Sequence, residues 1–205
     1  MSTLFEVKDI RFGYEKGPPV LDRVSFTIDD GERVALVGPS GCGKSTLARI
    51  MAGYLAPDSG EALFEGKPLP ADGYCPVQLV YQHPEKAVNP RWKMGRTLSE
   101  GWEPDDDFLA GMGIEKAWLE RYPRELSGGE IQRFCIARAL GPSARLLIAD
   151  EMSTMLDMIT QAQIWNAALD IVKRRNMGLL IITHNPHLAE KLCTRIMPFY
   201  QTFHK

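Results

Sequence analysis

The 205-residue sequence predicts an α/β domain in three parts. A parallel-sheet core carries an antiparallel β subdomain at its N-terminus, and an α-helical subdomain is inserted between core strands. Three observations predict this. The short runs "RVALVG", "ARLLIADE" and "GLLIITH" are nearly all apolar, the composition of strands buried on both faces. A helical pattern from about Met158 to Asn176 separates the last two runs and completes a strand–helix–strand unit. Residues 84–140 show no strand alternation at all.

The elements follow in order. Phe5 and Val7, then Ile10, Phe12 and Tyr14, alternate with polar residues. Val24, Phe26 and Ile28 alternate again and run into "DDGE", a turn signal. These read as antiparallel strands. The strand "RVALVG" follows, then a helix in "KSTLARIMAGYL" with Leu47, Ile50 and Met51 on one face. The middle segment reads as helices, and its acidic run from Glu103 to Asp107 reads as a solvated loop. The division expected is a catalytic core of residues 1–83 and 141–205, with a helical subdomain at 84–140.

Composition narrows the function. The chain is 44% hydrophobic and 24% charged, enough for one well-buried domain. A net charge of −2 and a pI near 6.1 give no electrostatic footprint for nucleic acid, so no nucleic-acid partner is expected. Cys42, Cys75, Cys135 and Cys193 lack metal-site spacing and read as reduced thiols of a cytosolic protein. The N-terminus has no signal-peptide pattern, and no apolar run approaches the ~20 residues of a membrane span. Contact with a membrane is expected only through a partner.

Gly38-Pro39-Ser40-Gly41-Cys42-Gly43-Lys44-Ser45-Thr46 fits G-x-x-x-x-G-K-[ST], between an apolar strand and a helix. The glycines let the loop wrap phosphates with inward amides, and the helix N-terminus adds its dipole. Lys44 can reach β and γ phosphates; Ser45 can offer its hydroxyl to Mg²⁺. The expected fold is therefore a P-loop NTPase of RecA-like type. Asp150 and Glu151 end the strand "LLIAD", at the crevice where parallel strands present their carboxyl ends. Asp150 is placed for the Mg²⁺ shell, and Glu151 for the water that attacks the γ-phosphate. His184 ends the next strand, as a catalytic group or as a structural hydrogen-bonder.

"RELSGGEIQRFCIARALGP" raises a separate question. Ser127-x-x-Glu130 fits a capping box at a helix start. The box explains Ser127 and Glu130 but not Gly128 and Gly129, each weakening the helix by up to about 1 kcal/mol against alanine. Glycine there lets a large anion approach the backbone amides.

The phosphate loop, "LSGGE", "LLIADE", the glutamine of "VYQHP" and the histidine of "LLIITH" resemble, in order and spacing, the ATP-binding cassette (ABC) ATPases. The resemblance spans Tyr14 to His184. It implies that Tyr14 stacks on adenine, the alternative being a strand-edge tyrosine, and that Gln82 contacts Mg²⁺ and the attacking water. It implies that Ser127, Gly128, Gly129 and Glu130 face the γ-phosphate held by a second ATPase subunit, in a head-to-tail homo- or heterodimer around two ATPs. That partner's phosphate is the anion the two glycines call for. Asp157 matches the D-loop aspartate.

The resemblance further implies separate transmembrane permease subunits, an external solute-binding protein, Mg²⁺ as cofactor and a place on the cytoplasmic face of a bacterial or archaeal membrane. Asn89-Pro90-Arg91 after Gln82 is similar to ATPases of oligopeptide, dipeptide and nickel importers. The groove around Gln82, with Val88, Pro90 and Trp92, is the expected permease dock, though Trp92 equally fits subdomain core. Three departures stand out. Glu130 replaces the usual glutamine, and its side chain is expected to point away from phosphate. Met155 replaces a smaller D-loop alanine. The chain stops soon after "RIMPFY", so no regulatory C-terminal domain is expected. Two rivals are DNA-repair or chromosome ATPases, which insert coiled coils or zinc modules absent here, and ribosome-associated ATPases, which carry two cassettes.

Overall fold

The computed structural model describes residues 2–15, 17–153 and 156–199. β1 (Thr3–Phe12) and β2 (Leu21–Asp29) pair antiparallel, with Val7 opposite Phe26 and Ile10 opposite Val24. Val7 and Ile10 are three residues apart yet both buried, because the register shifts between them at Asp9, whose φ is 45°. That bulge explains the break in the alternation of the sequence. β3 (Arg33–Val37) opens the parallel core and runs through the phosphate loop into α1 (Lys44–Met51). α1 ends earlier than its apolar pattern, because Gly53 takes φ 78° and Tyr54 N donates back to Arg49 O at 2.8 Å. β4 (Ser59–Phe64) returns to the first sheet, ordered β2-β1-β4. β5 (Val77–Val80) then joins the core sheet.

The inserted segment is helical, as its sequence predicts. It holds a 3₁₀ turn at Pro84–Lys86, α2 (Met94–Leu98), α3 (Asp106–Gly111), further 3₁₀ turns at Lys116–Glu120 and Pro123–Glu125, and α4 (Gly128–Ala139). The acidic run is only half loop. Asp105 caps α3 by accepting from Phe108 N, and Asp106 and Asp107 form its first turn, where negative charge suits the helix dipole.

β6 (Leu146–Asp150), α5 (Met158–Arg174), β7 (Gly178–Thr183), α6 (Pro186–Leu192) and β8 (Arg195–Pro198) complete the chain. The core sheet is ordered β5-β6-β7-β3-β8, every pair parallel. Its side chains alternate between two hydrophobic cores. Leu146, Ile148, Leu180 and Ile182 join α1 and the antiparallel sheet. Leu147, Ala149, Leu179 and Ile181 join α4, α5 and the helical insertion. A sheet buried on both faces leaves no polar side in the strand sequences, which is why they read as unbroken apolar runs. Among the described residues no helix is long and apolar enough to cross a membrane.

Candidate nucleotide site

The phosphate loop is shaped by two glycines in the left-handed region, Gly41 at φ 80° and Gly43 at φ 105°. A Cβ at Gly43 would also lie 2.9 Å from Leu21 Cδ2 and 3.0 Å from Val20 O. α1 starts at Gly43 with no side-chain cap and no acidic residue in its first turn, so its positive end faces the loop. Lys44 is buried, and its Nζ donates to Gly38 O at 2.9 Å and Pro39 O at 2.7 Å, with Cys42 Sγ at 3.6 Å. A cleft of about 440 Å³ opens above it. Tyr14, Ser40, Gly41, Gly43, Lys44, Ser45, Thr46, Gln82, Asp150 and Glu151 all line that cleft.

Tyr14 stands just past β1, half exposed, edge-on to Phe12, with its hydroxyl 3.2 Å from Thr46 Oγ1. Asp150 is 8% exposed at the end of β6. Burial pushes its carboxyl above the usual range; the Ser45 hydrogen bond opposes this, Glu151 reinforces it and Lys44 opposes it. Glu151 follows at φ 48°, its N–H donating to Ile182 O at 3.0 Å. A non-glycine residue held there costs of order 1–3 kcal/mol, a strain found at functional sites. His184 Nδ1, on β7's outgoing end, lies 3.4 Å from Glu151 Oε1. The residues fit Mg²⁺, a hard cation that takes oxygen ligands: a hydroxyl, an amide and a carboxylate from Ser45, Gln82 and Asp150 share the cleft.

A second cleft, of about 420 Å³, lies over the start of α4. Ser127, Gly128, Gly129, Glu130, Leu156, Asp157 and Trp118 line it, and none of these lines the first cleft. The capping box forms in full. Ser127 Oγ accepts from Glu130 N at 3.3 Å, and Glu130 Oε2 accepts from Ser127 N at 2.6 Å. A Cβ on Gly128 would meet nothing within 4 Å; one on Gly129 would lie 3.3 Å from Leu156 Cδ2. The far end of α4 is closed. Trp102 Nε1 donates to Ala137 O, Tyr74 Oη to Arg138 O and Ala139 O, and Arg175 Nη1 to Leu140 O and Gly141 O. Asp157 caps α5, accepting from Ile159 N and Thr160 N at 3.0 Å. Hydrogen bonds from the Thr160 side chain and the helix amides hold its carboxyl below the usual range. The Met155 departure lies outside the described residues.

Two features escaped the sequence. Ser153 is buried and accepts from Gln161 Nε2 at 2.7 Å and Trp165 Nε1 at 3.0 Å, anchoring the segment that leads to Asp157. Gln161 and Trp165, four residues apart and so on one face of α5, were the available signal. The expected dock also needs correction, because Val88 is buried in the subdomain core and offers no surface. Pro90 is exposed, and Trp92 is half-buried with the Arg96 guanidinium 4.0 Å over its ring. Asn89 Oδ1 accepts from Arg91 N at 3.0 Å, so Asn-Pro-Arg is a local turn. A groove of about 410 Å³ does run past Gln82, with Arg49, Tyr81, His83 and Lys86 on its walls, and another of about 670 Å³ lies between core and insertion, lined by Tyr54, Tyr74, Tyr81, Ala87 and Arg138.

A phosphate loop on a parallel sheet, with an acid pair at the neighbouring strand end, defines the chain as a P-loop nucleotide hydrolase. A family profile described as ABC transporter matches residues 21–154. The nickel import ATP-binding protein NikE of Rhodospirillum rubrum is 36% identical over 204 residues, covering 90% of this chain and 74% of the relative. NikE of Escherichia coli K12 is 35% identical, covering 90% and 76%. The dimeric post-hydrolysis structure of the ATP-binding cassette MJ0796 with ADP and Pi has a TM-score of 0.80 at 23% identity, covering 95% of this chain and 94% of that one. CbiO1 of Clostridium perfringens, part of the ABC transporter complex cbiONQ, gives 0.77 at 24% identity, covering 97% and 86%. The chain belongs to the ABC transporter family of ATP-binding subunits. It is an ATPase that dimerises with another such subunit and couples hydrolysis to transport through partner permeases.

Proposed function

We propose that the chain powers import of a nickel-type or peptide solute, working head-to-tail with a second ATPase subunit at the cytoplasmic face of the membrane, beside an external solute-binding protein. The similarity to the NikE proteins over 90% of the chain supports the solute class, as does the Asn89-Pro90-Arg91 turn. One observation carries the dimer reading: the phosphate-loop cleft and the signature cleft share no lining residue. Each is half of a site, and a second subunit supplies the other half.

In this reading Tyr14 stacks on adenine, and Lys44 gives up two neutral carbonyls for the β and γ phosphates. Ser45, Gln82 and Asp150 would hold Mg²⁺, which neutralises phosphate charge when bound. Glu151 accepts the proton of the attacking water, and His184, beside its carboxylate, fixes that acid's orientation. Ser127, Gly128 and Gly129 present a helix N-terminus to the partner's γ-phosphate. Glu130 is compatible with this, because its carboxylate turns back onto Ser127 N.

The dimer reading is tested by mixing two lesions. Lys44→Ala damages the phosphate loop and Ser127→Arg blocks the signature, so each homodimer loses both composite sites. A mixed dimer keeps one intact site, and ATP-dependent dimerisation should return in the mixture. No recovery, while wild type dimerises with ATP, would show that the signature acts on its own subunit's nucleotide. The solute is tested in liposomes with permeases and binding protein: Ni²⁺ or an oligopeptide should stimulate turnover. Stimulation by neither would remove the assignment.

A further inference from the structure

Three side chains on one face of α4 reach the same neighbouring stretch of backbone. Gln132 Nε2 donates to Tyr81 O at 3.4 Å, Cys135 Sγ to Pro84 O at 3.8 Å, and Arg138 Nη2 to Ala87 O at 2.8 Å. The spacing matches on both sides: residues 132, 135 and 138 against 81, 84 and 87. Three residues of α-helix advance about 4.5 Å, and the facing stretch, a loop at 81–83 leading into the 3₁₀ turn Pro84–Lys86, keeps pace with it. The stretch therefore runs alongside α4 and parallel to it, pinned at three points. Gln132 is 1% exposed, so its amide is committed to this seam. Its acceptor is the carbonyl immediately before Gln82, and Gln82 lines the phosphate-loop cleft.

We infer that Gln132 is a positioning residue for Gln82, linking the signature end of α4 to the subunit's own phosphate site. Ser127 and Gln132 are five residues apart on one helix, about 7.5 Å along its axis. A phosphate engaged at the start of α4 acts on a rigid rod. Any shift of that rod moves the Tyr81 carbonyl, and the next residue in the chain is Gln82. The signature end and the glutamine thus move as one body, although they serve nucleotides on different subunits. This inference rests on the role given to Gln82 under Proposed function.

The test is a double-mutant cycle on steady-state ATPase activity. Gln132→Met keeps length and flexibility but removes the donor. It should lower kcat about tenfold, leave the KM for ATP within about twofold, and raise the Mg²⁺ concentration needed for half-maximal rate. In a Gln82→Ala background it should add less than about a twofold loss, because both act through one group. Thermal melts accompany each variant, and Gln132→Leu serves if Gln132→Met does not fold. Independent, multiplying losses would overturn the link, as would an unchanged kcat in Gln132→Met. Failure of both variants to fold would assign the bond to stability alone and overturn the positioning role. An unchanged rate in Gln82→Ala would instead remove the role of Gln82 and the link with it. The single and double variants therefore separate the two failures.

Discussion

Gly128→Ala should make the isolated subunit more stable and the ATPase worse. Gly128 is the first residue of α4, and its φ is not in the left-handed region. A Cβ there meets nothing within 4 Å, so alanine enters without a clash. Replacing glycine by alanine in a helix gains about 0.5–1 kcal/mol, because alanine loses less backbone entropy on folding. For a domain of this size each kcal/mol moves Tm by roughly 2–4 °C, so a rise of about 1–4 °C is expected. Gly129→Ala should gain less, since its Cβ would sit 3.3 Å from Leu156 Cδ2 and 3.5 Å from Thr160 Cγ2. In the proposed dimer the open space before Gly128 is where the partner's phosphate would come in, and a methyl group would hold it off the amides. Losing donors aimed at a transferring phosphoryl group costs on the order of 100-fold in rate. The assays are a thermal melt without nucleotide and the rate of phosphate release with Mg-ATP. A lower Tm would refute the geometric argument. A wild-type rate would refute the claim that the glycines admit an anion.

Two further outcomes follow from the acid pair. Glu151→Gln should retain ATP affinity while hydrolysis slows by at least ~100-fold, and the ATP-bound dimer should accumulate on gel filtration; a hydrolysing monomer would show that another group is the base. Asp150→Asn should abolish turnover yet raise Tm at pH 7. Burial raises the Asp150 carboxyl above 3.8, so between 3.8 and the folded value the native chain binds the extra proton and its stability falls as pH rises. The substitution removes that loss. The Tm gain should therefore shrink as pH is lowered towards 4, and a gain independent of pH would point to a different cause.

Much of the fold was legible in the sequence because its signals were local and strong. The doubly buried strands β3, β6 and β7 are apolar without interruption, and no helix gives that in so few residues between turn signals. The capping box at Ser127 needed only four positions. β4 and β5 were not legible, for a physical reason. β4 begins Ser-Gly-Glu and carries one buried residue, Leu63, while β5 has four residues in all. Such strands exist through the partners they pair with, Val7 opposite Ala62 and Leu79 opposite Ile148, and pairing is not written in the strand itself. The site was legible for the same reason as the core, since the phosphate loop and acid pair sit at strand ends. The Tyr14–Thr46, Glu151–His184 and Ser153–Trp165 contacts join residues 32, 33 and 12 positions apart, and only folding reveals them.

The closed end of α4 bears on how the chain is made. Its terminal carbonyls are satisfied by side chains at positions 74, 102 and 175, so its donors come from both earlier and later stretches. During synthesis from the N-terminus, Tyr74 and Trp102 are already waiting when the helix emerges. Arg175 arrives some 35 residues afterwards, at the end of α5. The signature helix is thus assembled early but fastened late, by a residue outside its own subdomain. A nascent chain halted before Arg175 would carry the glycine turn on a helix with the Leu140 and Gly141 carbonyls, just beyond its last residue, still open to water. The far end of the signature helix is thus closed only once the chain has been made through α5 to Arg175.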